Sequence, residues 1–507
     1  MAHTQLQGGR RGKTIRAGFA RIPRLRLGLA GVVFITGCTT LAPQYERPEI
    51  DMPASFRFEP AAVAATADTA WWQQFGDPVL DELIATALAN NYSVEIAAAN
   101  VEQALGIVTQ TRSALYPQLG YGASGEELRS PDTGLTAAIR NLPNPQDTYQ
   151  AFVSASWELD LWGRIRNLSE AAQASMLATE EARRGVILTL VSSVADSYIS
   201  LRGLDEQLAV SKETLKAYGE FVRLYELQYK YGQSSLMTVV QAQSQYETAA
   251  TQIPQIESRI AQLENALSVL LGSNPGEIPR GKPISELVAP VAPAGLPSTL
   301  LERRPDLLQA EQALIASNAQ IGAAKALYFP TISLTGALGS TSSSLSDLFE
   351  GSTRTWNYAG QVVGPIFTFG AVSGQVAQAE AAQRAALASY KLAVQNAFAD
   401  VDNAFVSNQK IGQQLDAQKR LVKALAEYER LARLQYDGGY VPYSTVLQAQ
   451  QALFPAELTL AALRASVLTS SADIYRAMGG GWINEADKMI GRAPPPVDQA
   501  DGPPPLF

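Results

Sequence analysis

The hydrophobic positions of this chain change period several times, and each change predicts an element. Leu41–Asp77 has no regular period; it carries Pro43, Pro48, Pro53 and Pro60 and reads as extended. It closes on Trp71-Trp72 and Phe75-Gly76-Asp77-Pro78. Val79-Leu-Asp-Glu-Leu-Ile-Ala then predicts a helix, with Asp77 as N-cap and Pro78 at its first position. A second helix is predicted over about Val94–Ala114. From Tyr149 the period drops to two. Tyr149, Ala151, Val153, Ala155, Trp157, Leu159 and Leu161 point one way, and Gln150, Phe152, Ser154, Ser156, Glu158 and Asp160 the other. Leu119, Tyr121 and Ala123 against Gln118, Gly120, Gly122 and Ser124 make a partner strand, with a polar loop, Glu126–Asp147, between them. A β-strand crosses a bilayer in about 9–11 residues, so this pair is long enough.

The pattern then repeats. Ile332, Leu334 and Leu338 alternate with Thr331, Ser333 and Thr335; Trp356, Tyr358, Val362 and Ile366 alternate with Asn357, Ala359 and Gln361. Pro117 aligns with Pro330 (offset 330 − 117 = 213) and Gly163 with Gly370 (offset 370 − 163 = 207). Both offsets are odd, so the apolar face should move from odd to even numbers, and it does. After each strand pair comes a long helix, about Gly163–Tyr229 and about Val372–Tyr436, each roughly 100 Å at 1.5 Å per residue. The first carries a heptad seam through Leu204, Leu208, Leu215, Tyr218, Val222, Tyr225 and Tyr229, with Ser211 in its gap. The second shares part of it at Ile411, Leu415, Val422 and Leu425. Each long helix stops at a tip and returns. The tips read LQYKYGQSSLMTVVQAQ (Leu227–Gln243) and LQYDGGYVPYSTVLQAQ (Leu434–Gln450), again 207 apart. Gly232 on one side and Gly438-Gly439 on the other permit the reversal. The returning helices, about Met237–Leu271 and Ser444–Met478, end at Gly272 and Gly479.

Residues 1–37 read as a removable signal. Arg10 to Arg26 hold seven basic residues, and Leu27–Ile35 is an apolar run too short for a membrane helix. The run ends in Thr36-Gly37-Cys38-Thr39, which resembles a bacterial lipoprotein signal. Cys38 is the only cysteine and is the expected covalent lipid anchor. Thr39, where an Asp would retain the protein, implies export to the outer membrane. Removal of the signal leaves 40 − 7 = 33 basic against 48 acidic residues, a net charge of −15. That balance argues against nucleic acid. The sole histidine, His3, leaves with the signal. Ser-His-Asp and Cys-His catalysis and His- or Cys-ligated zinc are thereby excluded, and no cofactor or metal site is expected.

Three motifs mimic active sites. Gly276–Lys282 fits the phosphate-loop spacing, but Pro283 stands where Ser or Thr must hold magnesium. Ser407-Asn-Gln-Lys410 lies within a polar helix face. Glu158 and Asp160 are paired carboxylates, read here as acids facing a wet lumen rather than a sugar cleft.

Trp72…Phe75-Gly-Asp-Pro-x-Leu80, Trp157-Glu-Leu-Asp-Leu-Trp-Gly163, Glu302-Arg-Arg-Pro-Asp-Leu307, Ile321-Gly-Ala-Ala-x-Ala-x-x-Phe329-Pro330 and the two tips span about 70–480. In this order the chain resembles the TolC-like outer-membrane efflux factors, in their NodT-type lipoprotein branch. The expected fold is mixed α and β: four strands per chain in an outer-membrane β-barrel that continues into a long periplasmic α-helical barrel. Four strands cannot close a barrel, whose smallest membrane form has eight, and open edges are not tolerated in lipid, so the chain must oligomerise. The resemblance implies a homotrimer. The units expected are the signal 1–37, an extended lipidated segment 38–78, a first repeat 79–272, a Pro-rich linker 273–300, a second repeat 301–480, and a partly disordered tail 481–507.

The resemblance implies a passive exit duct for drugs, other toxic compounds or metals. It would be fed by an inner-membrane pump through a periplasmic adaptor. A protein-secretion duct and a non-conducting structural lipoprotein are the alternatives. Tyr121, Trp157, Trp162, Trp356 and Tyr358 are expected at the membrane interfaces. The tips, with Gly232, Gln233, Ser234, Gly438, Gly439 and Tyr440, would meet the adaptor and form the periplasmic mouth. Some relatives place acids just after the tip. Here Thr445 and Gln448 stand there, matched by Thr238 and Gln241, with Asp437 the nearest acid. Closure by Tyr229, Tyr436, Tyr440 and Thr445 is therefore expected in place of a charged ring.

Overall fold

The computed structural model describes residues 41–53, 55–59, 69–131, 144–292, 299–479 and 482–490. The signal, Cys38, the centre of the first strand-pair loop, part of the linker and the end of the tail lie outside these residues.

The internal repeat governs the architecture. α1 (Pro78–Asn90) and α2 (Tyr92–Ser113) lead into β1 (Gln118–Leu128) and β2 (Gln146–Leu159). α3 (Arg164–Lys230) and α4 (Leu236–Leu270) then form a long hairpin. The second half runs α5 (Pro305–Ala326), β3 (Thr331–Ser342), β4 (Arg354–Val363), α6 (Ala371–Asp437) and α7 (Tyr443–Ala477). Both bounds of α2 and α5 differ by 213, and every bound of α3/α6 and α4/α7 differs by 207. The change of offset falls in the loops joining the strand pairs. The loop is 17 residues (129–145) in the first half and 11 (343–353) in the second, a difference of six. The paired helices correspond to the residue, whereas β3 is one residue longer than β1 and β4 (10 residues) is shorter than β2 (14).

The same local chemistry builds both copies. Asp77 caps α1 by accepting from the Val79 amide at 3.0 Å, with Pro78 at N1. Both long helices start from a left-handed glycine, Gly163 (φ 73°) and Gly370 (φ 93°), and the returning helices end beside left-handed Gly272 and Gly479. A Cβ on Gly272 would sit 2.1 Å from the Asn90 carbonyl, so close helix approach as well as φ demands glycine there. The halves differ where proline interrupts the returning helix, at Pro254 in α4 and Pro455 in α7. Each removes one i→i−4 bond, at non-equivalent heights.

The four strands form one antiparallel sheet in the order β1-β2-β3-β4, so β1 and β4 are free edges. β4 stops at Val363, leaving Ile366, assigned above to the strand's apolar face, beyond it and exposed. A large core lies where α1 and the ends of α4 and α7 pack against the middle of α3. Trp71, Trp72, Phe75, Tyr475 and Trp482 are fully buried and meet edge-on or stacked, at centroid distances of 5.4–6.1 Å. Burying each such ring contributes up to about 4–6 kcal/mol. Trp482, with Ile483 and Ala486 of the short helix α8 (Ile483–Met489), thus belongs to the core, inside the tail 481–507 expected to be partly disordered.

The three decoys become structural. Gly281 donates its amide to the Tyr198 hydroxyl, and Lys282 donates its amide to Asp77. The phosphate-loop lookalike is therefore a buried brace on the α1 cap. Asn408, within the Ser407–Lys410 match, ties α6 to Ser470 and Ser471 of α7. Glu158 and Asp160 are not free lumenal acids. Glu158 pairs in a bidentate manner with Arg164 at 2.8–3.1 Å. Asp160 accepts from the Ile165 and Arg166 amides and pairs with the Arg166 side chain, closing the strand-to-helix turn at the positive end of α3.

Candidate functional site: the membrane sheet and the tunnel mouth

Cross-strand register shows what the sheet presents. Tyr121, Val153, Leu338 and Trp356 lie in one row across all four strands, and Leu119, Ala155, Gly336 and Tyr358 in the next. The adjacent rows on the opposite face are Gly120-Ser154-Ala337-Asn357 and Gln118-Ser156-Thr335-Ala359. One face is thus apolar and aromatic, the other small and polar, as a barrel wall between lipid and water requires. Phe152 is the exception on the polar face. Its ring lies over Gly122, where a Cβ would come within 2.7 Å, and its backbone presses on Gly339.

Of the interface aromatics, Tyr121, Trp356 and Tyr358 stand exposed, the last two stacked at 5.7 Å. Trp157 and Trp162 are half-buried. The Trp157 indole donates to the Leu115 carbonyl at 2.9 Å and that of Trp162 to the Pro330 carbonyl at 2.7 Å. Trp162 also stacks on Phe329 at 4.6 Å. Its ring therefore joins the two halves at the sheet-to-helix junction.

At the far end, the two tips are the same turn. Gly232 and Gly439 are the left-handed residues, with φ 73° and 74°. The Gln233 amide donates to the Gln228 carbonyl and the Tyr440 amide to that of Gln435, 207 residues on in both donor and acceptor. Gly438, expected to share the reversal, is right-handed at φ −77°. Its role is room: a Cβ there would meet the Tyr440 ring at 2.8 Å. Ser235 caps α4 by accepting from the Thr238 amide at 3.3 Å, and its hydroxyl lies 3.2 Å from that of Thr238. Gln233 is exposed and Ser234 half-buried.

The mouth candidates divide. Tyr229 (48% exposed) and Tyr440 (84%) project from the chain, and Gln448 is exposed. Thr238, Gln241 and Thr445 are half-buried. Tyr436 joins a cluster that sequence reasoning missed. Its ring lies 6.2 Å from Tyr225 and 5.6 Å from Tyr443, and those two rings are 4.6 Å apart. Val239, Ala242, Ala432, Val446 and Ala449 complete the cluster, so all four helices of the two hairpins meet there. Burial pushes the Tyr443 hydroxyl up to about 12 and that of Tyr225 higher, so both stay protonated. Arg433 reinforces the contact by lying over the Phe221 ring at 4.3 Å. The signal was present in the sequence: Tyr225 was on the seam, and its repeat partner Ala432 supplies the space the tyrosines fill.

Between sheet and tips, one acid is out of place. Asp196 of α3 is half-buried, with one carboxylate oxygen enclosed and unpartnered. Desolvation, and then the neighbouring Asp473, push its pKa up to about 7, against the lowering effect of Arg476. A folded-state value above the unfolded one near 3.9 means that stability is lost as pH rises from about 4 through 7. Asp196→Asn should therefore stabilise the protein at pH 8, by up to about 4 kcal/mol per chain, and change little at pH 4. Thermal unfolding followed by circular dichroism at both pH values measures this. Equal midpoints for variant and parent at pH 8 would refute it.

Comparison with known proteins agrees with this geometry. Residues 83–273 and 296–480 match the family Outer membrane efflux protein, one segment in each half. The Escherichia coli O6:H1 cation efflux system protein CusC is 36% identical over 457 residues, 88% of this chain and 96% of that protein. The Salmonella typhimurium probable outer membrane lipoprotein SilC is 36% identical over 463 residues, 90% of this chain and 98% of that protein. The solved open-state structure of the Neisseria gonorrhoeae MtrE outer membrane channel superposes with a TM-score of 0.79. It has 31% identity and covers 88% of this chain and 99% of that one. A two-faced four-stranded sheet, two matched helical hairpins and full-length similarity lead to one assignment: the chain belongs to the outer membrane efflux protein family.

Proposed function

We propose that three copies of this chain close into one lipid-anchored duct that carries small molecules passively across the outer membrane. The sheet carries the proposal: it has a lipid-compatible face, a polar face and two open edges at one end of hairpins roughly 100 Å long. Three copies supply twelve strands, within the range of closed membrane barrels, and leave no edge. A structural spacer would not need such a sheet. The tips, farthest from it, would receive the periplasmic adaptor and, through it, the inner-membrane pump.

The N-terminal strap supports the anchor. The Asn318 side chain donates to the Pro43 carbonyl at 2.7 Å, and Ala42 packs against Gly322, near the sheet-side end of α5. From there the strap runs the other way along α5, where Tyr45 and Arg47 hold Glu311. Cys38 is four residues upstream of Ala42, which is at most about 14 Å of chain.

The test is a deletion strain challenged with a panel of metals, dyes and drugs, complemented with the parent gene or Cys38→Ser. The parent should restore resistance and the purified protein should open channels in planar bilayers. Cys38→Ser should yield chain that is not acylated and less firmly held in the membrane. Protein without conductance, together with a parent gene that restores nothing in a strain whose pump and adaptor are intact, would defeat the reading.

A further inference from the structure

We infer that the free edges β4 and β1 meet between copies in one defined register, and that Phe369 of each copy seats on Tyr116 and Pro117 of the next. This rests on the trimeric duct proposed above.

The internal repeat fixes the register. Paired positions sum to 274 across β1 and β2 (Gln118 with Ser156) and to 694 across β3 and β4 (Thr331 with Val363). The difference, 420, equals 213 + 207, the two repeat offsets. The second strand pair is therefore the first one moved without slip. A closed ring of such repeats has only one further kind of joint, the one between halves. Within a chain that joint is β2 on β3, whose paired positions sum to 491 (Leu159 with Ile332). Moving β2 to β4 by 207 and β3 to β1 by −213 gives a sum of 485 for β4 against β1 of the next copy.

That sum places Val362 opposite Ala123 and Tyr358 opposite Glu127 of the next copy. Even positions of β4 and odd positions of β1 both belong to the apolar face, so the register keeps lipid and water sides continuous. A slip of one residue would exchange them.

The same operation explains an exposed aromatic. Within the chain Trp162 stacks on Phe329 and donates to Pro330. Its repeat partner is Phe369, and those of Phe329 and Pro330 are Tyr116 and Pro117. Phe369 is fully exposed, with a left-handed backbone at φ 49° that is costly for a side chain with a Cβ. Tyr116 is exposed too. The contact made once inside each chain is thus left half-made at each end of it.

Disulfide trapping in outer membranes tests the register on the full-length protein. Val362→Cys with Ala123→Cys, and Gln361→Cys with Ser124→Cys, are the matched pairs. Neighbouring pairs alternate between close and wide, so one of them has the closer spacing. Val362→Cys with Tyr121→Cys, and Gln361→Cys with Gly122→Cys, keep the faces but slip the strands by about 7 Å. After mild oxidation at least one matched pair should give covalent dimers and trimers roughly tenfold above the slipped pairs and the parent chain. Cross-linking of a slipped pair instead, or of none, in trimers of normal native mass would overturn the register and leave the duct standing. Monomers by native mass would remove both. For the seat, Phe369→Ala should lower the temperature at which trimers dissociate, and Phe349→Ala, an exposed ring in the β3–β4 loop, should not. Equal shifts for the two variants, or none, would overturn the seat.

Discussion

Replacing Tyr436 and Thr445 together by alanine should raise the single-channel conductance of trimers in planar bilayers. Tyr436 contributes two ring contacts to a cluster in which the α3–α4 and α6–α7 hairpins meet, one to Tyr225 and one to Tyr443. Contacts of this kind contribute about 0.5–1.5 kcal/mol each beyond simple burial. Losing both loosens the hairpins by roughly 1–3 kcal/mol, which moves a closed-to-open equilibrium by about 5- to 150-fold. Thr445 lies on the first turn of α7, next to the buried rings, and its truncation adds space there. The contact is chiefly one of rings, with a Tyr225–Tyr436 side-chain hydrogen bond beside it. Tyr443→Phe should therefore conduct like the parent, and the closed level should not vary between pH 5 and 8. Alanine at the exposed Tyr229 or Tyr440 separates the two ways in which a tyrosine narrows a mouth, because neither ring belongs to the cluster. A double variant with parental conductance, in trimers of normal mass, would remove tyrosine closure from consideration.

The architecture was legible because the chain states it twice. Period two against period 3.6 located the strands and helices, and the odd offsets fixed which face of each strand belonged together. Asp77, Pro78, Gly163, Gly272, Gly370 and Gly479 marked ends to within a residue or two, since each meets a local backbone demand. What stayed hidden depends on groups far apart in sequence. Nothing near Trp482 says that its partners are Trp71 and Trp72, about 410 positions earlier. Glu158 and Asp160 looked lumenal because strand alternation assigns a face but does not show that Arg164 and Arg166 curl back to meet them. Trp162 looked like an interface aromatic because only the fold reveals Phe329 beneath it. The Tyr225–Tyr436–Tyr443 cluster draws one ring from each of three helices, and heptad spacing describes one helix at a time.

Arg304→Ala should destabilise the chain by about 1–3 kcal/mol, chiefly because it leaves a buried acceptor unpaired. Arg304 is almost fully buried at the start of α5. It donates to the Ala477 carbonyl at 3.0 Å, to both oxygens of Asp306 and to Asp400 at 2.9 Å. One fork thus joins α5, α6 and the last turn of α7. Gly479 is there to admit it, since a Cβ would stand 2.2 Å from the Arg304 Cγ. Asp306 and Asp400 are half in water and tolerate its loss. The Ala477 carbonyl, at a helix end, does not, and an orphaned buried acceptor costs about 1–3 kcal/mol by itself. The first half shows how small a group can hold this place. Its repeat partner is Asn91, 213 residues earlier, which donates to the Leu270 carbonyl at 2.9 Å, and Leu270 is the partner of Ala477 at 207. Asn91 also caps α2 by accepting from the Ser93 and Val94 amides, a cap that Arg304 does not provide to α5. Arg304→Asn is therefore expected to recover part of the loss, and Arg304→Lys, which keeps the charge without the fork, to recover less. Denaturant unfolding of detergent-solubilised protein ranks the three variants. Lysine matching the parent would show that charge alone holds the three helices together. Asparagine no better than alanine would show that the two halves do not share this joint.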